Sequence, residues 1–125
     1  MKPKQLFFRN SYHITCIQTL ARNVKCRTTY IFGYSSVLRT IHHEVFYKRG
    51  NDEFVLFDDT CRYNIFTHKA SYNHADMDVD IKDVLERSIK NINSRYQYNF
   101  NVNLNNLYNA LLERLSLSLI MLAGV

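Results

Sequence analysis

Proline occurs once and glycine three times in the 125 residues. So little of either excludes collagen-like and proline-rich sequence. Gly33, Gly50 and Gly124 stand alone, so no glycine-rich phosphate loop is present. The three cysteines, Cys16, Cys26 and Cys61, are widely spaced and form no Cys-x-x-Cys pair. That leaves a zinc knuckle or a redox dithiol unsupported and favours reduced cysteines packed as small apolar groups. No apolar run reaches the roughly 18–20 residues of a membrane-spanning helix. The longest runs from Leu115 to Val125 and is broken by Ser116, Ser118 and Gly124. After Met1-Lys2-Pro3-Lys4-Gln5 no apolar stretch of signal-peptide length follows. The expectation is an intracellular protein, in cytoplasm or nucleus, with no membrane partner.

What is present points to one folded domain. Hydrophobic residues make up 46% of the chain and charged residues 22%, a globular balance rather than a disordered one. The net charge of +5 is unevenly placed. Residues 1–49 hold nine Lys or Arg against Glu44 alone, and residues 50–125 are net acidic. A basic half suggests a polyanion such as nucleic acid, with a solvated basic face as the plain alternative. Nine Tyr and eight Phe supply rings that can stack on bases. The abundance of Asn, Ile, Tyr and Lys fits an A/T-rich genome, such as that of a large DNA virus.

Hydrophobic patterning places the elements. Thr28 to Phe32 reads as a short strand stopped by Gly33, with an extension back to Val24. Glu44–Lys48 and Glu53–Phe57 flank Arg49-Gly50-Asn51-Asp52 as a β-hairpin. Tyr63–Thr67 reads as a third strand. Ile81, Val84, Leu85, Ser88, Ile89 and Ile92 follow the spacing of one buried helical stripe within residues 76–93. Asp80 stands where an N-cap belongs, with Asp78 and Asp83 beside it. Tyr98, Phe100, Val102 and Leu104 alternate with Asn99, Asn101, Asn103 and Asn105, the period of a half-buried strand. The amide row on its polar face can both donate and accept, which suits either a polar ligand or solvent. Residues 109–125 are Leu-rich. They read as a helix, with Leu111, Leu112, Leu115 and Leu119 on one face, or as an apolar tail that docks on a protein partner.

Candidate chemistry is sparse. His74-Ala75-Asp76 has the spacing of an iron-binding His-x-Asp, but no second His follows it. His42-His43-Glu44 and His68 are zinc-type residues, yet adjacent side chains on a strand point to opposite faces. Cys16 or Cys61 with a His would be a nucleophile pair without any local signature. The run Asp76-x-Asp78-x-Asp80 lacks the glycine and distal Glu of a calcium loop.

One stretch carries a family resemblance. Phe100-Asn101-Val102-Asn103-Leu104-Asn105-Asn106-Leu107-Tyr108, with the helix and the link Ile92–Tyr98 before it, resembles the AlkB-like 2-oxoglutarate and Fe(II)-dependent dioxygenases over residues 81–108. The resemblance implies the recognition region and first strand of a double-stranded β-helix, or jelly roll. It also implies contact of Asn106 and Tyr108 with 2-oxoglutarate, and oxidative demethylation of a nucleic-acid base in complete relatives. The family's His-x-Asp, later His and arginine segment do not follow Tyr108. Arg62–Thr67 and His74–Asp76 precede it and match only superficially.

The expected fold is therefore α+β, a hairpin-rich antiparallel sheet with one amphipathic helix. It is divided into a basic region 1–43, a partial AlkB-like domain 44–108 and a divergent tail 109–125. The expected function is that of a truncated or frame-shifted AlkB-like protein. It would have no catalytic or metal residues of its own and bind neither 2-oxoglutarate nor Fe(II) productively. The alternative is a non-catalytic basic nucleic-acid-binding or regulatory protein.

Overall fold

The computed structural model describes residues 11–33, 37–72 and 77–123. Five strands precede two helices: β1 (Ser11–Ala21), β2 (Val24–Gly33), β3 (Leu38–Arg49), β4 (Asp52–Asn64), β5 (Lys69–Tyr72), α1 (Met77–Tyr96) and α2 (Leu104–Ala123). The strands form one antiparallel sheet in chain order, so each pairs with the next. The fold is α+β, as expected, but with two helices rather than one. Both lie on one face of the sheet, α1 against β4 and α2 against α1 and β1.

Alternation decides which side chains meet the helices. Val24, Cys26, Thr28 and Tyr30 of β2 are buried, and Ile41, His43, Val45 and Tyr47 stand opposite them on β3. The main core joins these strands to Ile81, Leu85 and Ile92 of α1 and Leu107, Leu111 and Leu115 of α2. A smaller cluster gathers Tyr30, Ile41, Cys61 and Tyr63.

The hairpin is longer and its turn tighter than the sequence suggests. Arg49 pairs with Asp52, leaving Gly50-Asn51 as a two-residue turn. Gly50 has φ of 60°, a conformation that a Cβ would strain. Leu56 is the extra residue of a bulge, because Val45 pairs with Phe57 and Phe46 with Val55. The bulge lets Leu56 and Phe57 both enter the core. The Ser88 hydroxyl donates to the Leu56 carbonyl at 2.9 Å, so the one polar member of the helical stripe satisfies the bulge.

Three expectations are corrected. Tyr63–Thr67 is not a separate strand. β4 ends at Asn64, whose side-chain oxygen accepts from the amides of Phe66 and Thr67 and closes a turn. Asp80 is not an N-cap, because α1 already begins at Met77. Residues 98–105 are not a strand. Gln97, at φ 55°, ends α1 in the left-handed region, and α2 starts at Leu104. The expected boundaries 43/44 and 108/109 fall inside β3 and α2.

Capping chemistry explains the third correction. Asn93 of α1 donates to the Phe100 carbonyl at 2.7 Å and accepts from the Phe100 amide at 2.8 Å. The Asn103 side chain accepts from the Asn106 amide at 3.1 Å, and its carbonyl accepts from Leu107. That is an N-cap. The linker nevertheless keeps the alternation: Phe100 is buried, Tyr98 and Val102 pack on the core, and Asn99, Asn101 and Asn103 are exposed.

Candidate nucleic-acid interface

The helix–helix linker crosses the end of the sheet where the β1–β2 and β3–β4 turns lie. Asn23, at φ 62°, forms the first turn with Arg22, and its carbonyl accepts from the Lys48 amide at 2.8 Å. This ties that turn to the end of β3. Tyr47 stacks on Phe100 with ring centroids 4.0 Å apart and planes within 6°. Phe54 meets Tyr96 at 4.7 Å and Tyr98 at 5.6 Å. Arg49 lays its guanidinium 3.9 Å from the centre of the Tyr98 ring, a cation–π contact that fixes the charge without neutralising it.

The result is a shelf of five rings graded from buried to exposed. Tyr47 and Phe100 are buried, Phe54 and Tyr98 half-buried, and Tyr96 is 44% exposed. Beside it a groove of about 200 Å³ is lined by Arg22, Asn23, Tyr47, Asn99, Phe100 and Asn101. Arg22, Lys48, Arg49 and Arg95 surround this end. Asp52 and Glu53 are the nearest acids in sequence, and Glu53 is occupied by Arg27 at 2.9 Å. Arg27 also pairs with Glu44 and covers Phe46 at 4.6 Å, so its charge is spent within the open sheet face. The shelf can offer cations, amide donors and acceptors, and an exposed ring, the set that holds a single strand by phosphate and base.

A second polar group lies inside the sheet. Thr28, His43 and Asp59 stand side by side across β2, β3 and β4 on the helix face, all buried. His43 Nδ1 is 3.2 Å from Thr28 Oγ1 and 3.7 Å from Cys26 Sγ. Burial, then the nearby Arg114 and His42, push His43 down to about 4. Burial likewise raises the Cys26 thiol. A neutral imidazole beside a neutral thiol, both sealed from solvent, is a hydrogen-bonded core rather than a nucleophile pair.

The other expected residues disperse. His42 turns to the open sheet face and bonds Thr60 at 3.0 Å, opposite in direction to His43. His68 bonds the Tyr63 hydroxyl at 3.0 Å. Cys16 is exposed, whereas Cys61 is buried and its thiol raised by desolvation. His74 and Asp76 lie outside the described residues. Among the described residues, no three His, Cys, Asp or Glu side chains gather as metal ligands, and no helix is long and apolar enough to cross a membrane.

Asn106 and Tyr108, the pair that the resemblance assigns to a keto acid, sit in the first turns of α2. On a strand they would share a face, but two residues along a helix turn the chain by about 200°. Asn106 is exposed, and Tyr108 is half-buried with Lys82 5.8 Å from its ring. They do not converge on one ligand, so these residues do not fit 2-oxoglutarate as a pair. The shelf residues Arg22, Tyr47, Arg49, Phe54 and Tyr96 were not singled out by sequence reasoning. Only the charge surplus, the ring count and the Asn row hinted at them. Comparison with family models, curated proteins and solved structures finds no match to this chain.

Proposed function

We propose that this protein is a non-catalytic, basic nucleic-acid-binding protein that takes single strands on the Tyr96–Tyr98–Arg49 shelf. The observation that carries the reading is Arg49 seated on Tyr98 beside the exposed Tyr96. Arg49, without an ion pair among the described residues, can thus meet a phosphate beside a ring that is 44% exposed to a base. The Asn99 and Asn101 amides add hydrogen-bonding capacity in the adjoining groove. The basic first half of the chain contributes Arg22, Lys48 and Arg49 to the same end of the molecule.

The reading as an incomplete AlkB-like dioxygenase rests on residues 81–108. A jelly-roll opening strand and a paired Asn106 and Tyr108 would support it, and the linker and helix found there lend no such support. Anisotropy of a fluorescent single-stranded oligonucleotide, titrated with protein across a salt series, tests the proposed function. The expected result is binding whose log affinity falls linearly with log salt, by about 0.7 per phosphate contacted. Adding 2-oxoglutarate and Fe(II) should leave it unchanged. No binding at low salt would reject the proposal, and succinate formation by the pure protein would restore the oxygenase reading.

A further inference from the structure

The two edges of the sheet are built differently. β5 is four residues long and carries Lys69, the short, charged edge that discourages pairing with another chain. β1 is eleven residues long and reads Ser-Tyr-His-Ile-Thr-Cys-Ile-Gln-Thr-Leu-Ala. Among the described residues, β2 is its sole strand neighbour. It holds no Lys, Arg, Asp, Glu or Pro, whereas every other strand has at least one charged residue. Ile14, Thr15, Ile17 and Thr19 give it strong strand-forming character. Its midsection, Cys16 to Thr19, is exposed.

Apolar surface borders this edge on both sides. Ile17 is 49% exposed and lies opposite Arg27, on the open sheet face. Leu117 of α2 is 46% exposed and lines a groove with Gln18, Leu20 and Arg114, on the helix face.

We propose that β1 is a self-association edge, at which two copies of this chain pair β1 to β1 antiparallel about a two-fold axis near Cys16 and join their sheets into one of ten strands. The occupant is a second copy because the edge is self-complementary. An antiparallel pairing centred on Cys16, the midpoint of the strand, sets Thr15 against Ile17 and His13 against Thr19, with no like charges opposed. In a protein of net charge +5, β1 is the strand along which two copies can approach without repulsion. The pairing would satisfy the outward backbone groups of β1 and cover Ile17 and Leu117. This interface is separate from the aromatic shelf and does not depend on its function.

Size-exclusion chromatography with light scattering over a dilution series tests the pairing. The expected mass is twice 14.9 kDa, dissociating on dilution. Ile17→Glu, a change at an exposed site opposite Arg27, should weaken association roughly tenfold or more by setting like charges on a self-paired strand, with an unchanged far-UV circular dichroism spectrum. A short bismaleimide should link the dimer through Cys16, and Cys16→Ser should remove the link while leaving the mass intact. A strictly monomeric protein would overturn the proposal, and another partner for the edge, such as an extended peptide, would leave the pure protein in that state. A dimer indifferent to Ile17→Glu, or one without the Cys16 link, would overturn it equally.

Discussion

The carboxamide of Asn93 holds the backbone of Phe100 from both sides, donating to its carbonyl and accepting from its amide. One side chain thus takes the place of a neighbouring strand. It fixes the linker across the sheet end, seats Phe100 on Tyr47 and brings Tyr98 under Arg49.

Asn93→Ala should remove both hydrogen bonds and strand the backbone groups of a buried residue. The expected cost is about 1–3 kcal/mol, read from urea denaturation. Asn93→Asp keeps the acceptor but sets a carboxylate oxygen against the Phe100 carbonyl, so it should cost at least as much as Asn93→Ala.

Leu107 and Asn106 separate the helical from the extended reading of this region. Leu107 is fully buried, so Leu107→Ala should cost about 2–5 kcal/mol. Asn106→Ala, on the exposed side of α2, should change stability by less than about 0.5 kcal/mol.

Stability should fall in mild acid because of His43. Its folded value, about 4, lies below the ordinary 6.5, so protons bind the unfolded chain more readily. The contribution is complete above pH 6.5, declines as the pH falls from 6.5 to 4, and levels off below. Its full size is about 3 kcal/mol. Unfolding free energies measured across this window should show the decline, and His43→Gln should flatten that part of the curve.

The thiols should divide by burial. Cys16 is exposed, while Cys26 and Cys61 are buried with raised values. A thiol reagent should titrate one equivalent in the native protein at neutral pH, and the other two only on unfolding.

Much of the sheet was legible in the sequence where residue type and period agreed. The extension of the Thr28 strand back to Val24 and the hairpin around Gly50 emerged from β-branched and aromatic runs closed by glycine. The α1 stripe emerged from its spacing, down to Ser88. β1 escaped because its alternation is short: Tyr12, Ile14 and Cys16 alternate with His13 and Thr15, but Ile17 and Gln18 then reverse the period. Residues 98–104 misled for a subtler reason. Their alternation of burial is real, but burial does not reveal where the backbone hydrogen bonds go. Asn93 and Asn103 supply them locally, a capping role that the Asn row signals as readily as a polar strand face. The shelf was hidden because its members come from four elements that meet only after folding.

Binding of a single strand at one end of the molecule is read out by amide chemical-shift mapping with a short single-stranded oligonucleotide. Shifts should concentrate at Arg22–Asn23, Tyr47–Arg49 and Arg95–Asn101, and weaken in Arg49→Ala. Shifts centred on the open sheet face around Arg62, or none at concentrations that saturate the anisotropy signal, would contradict it.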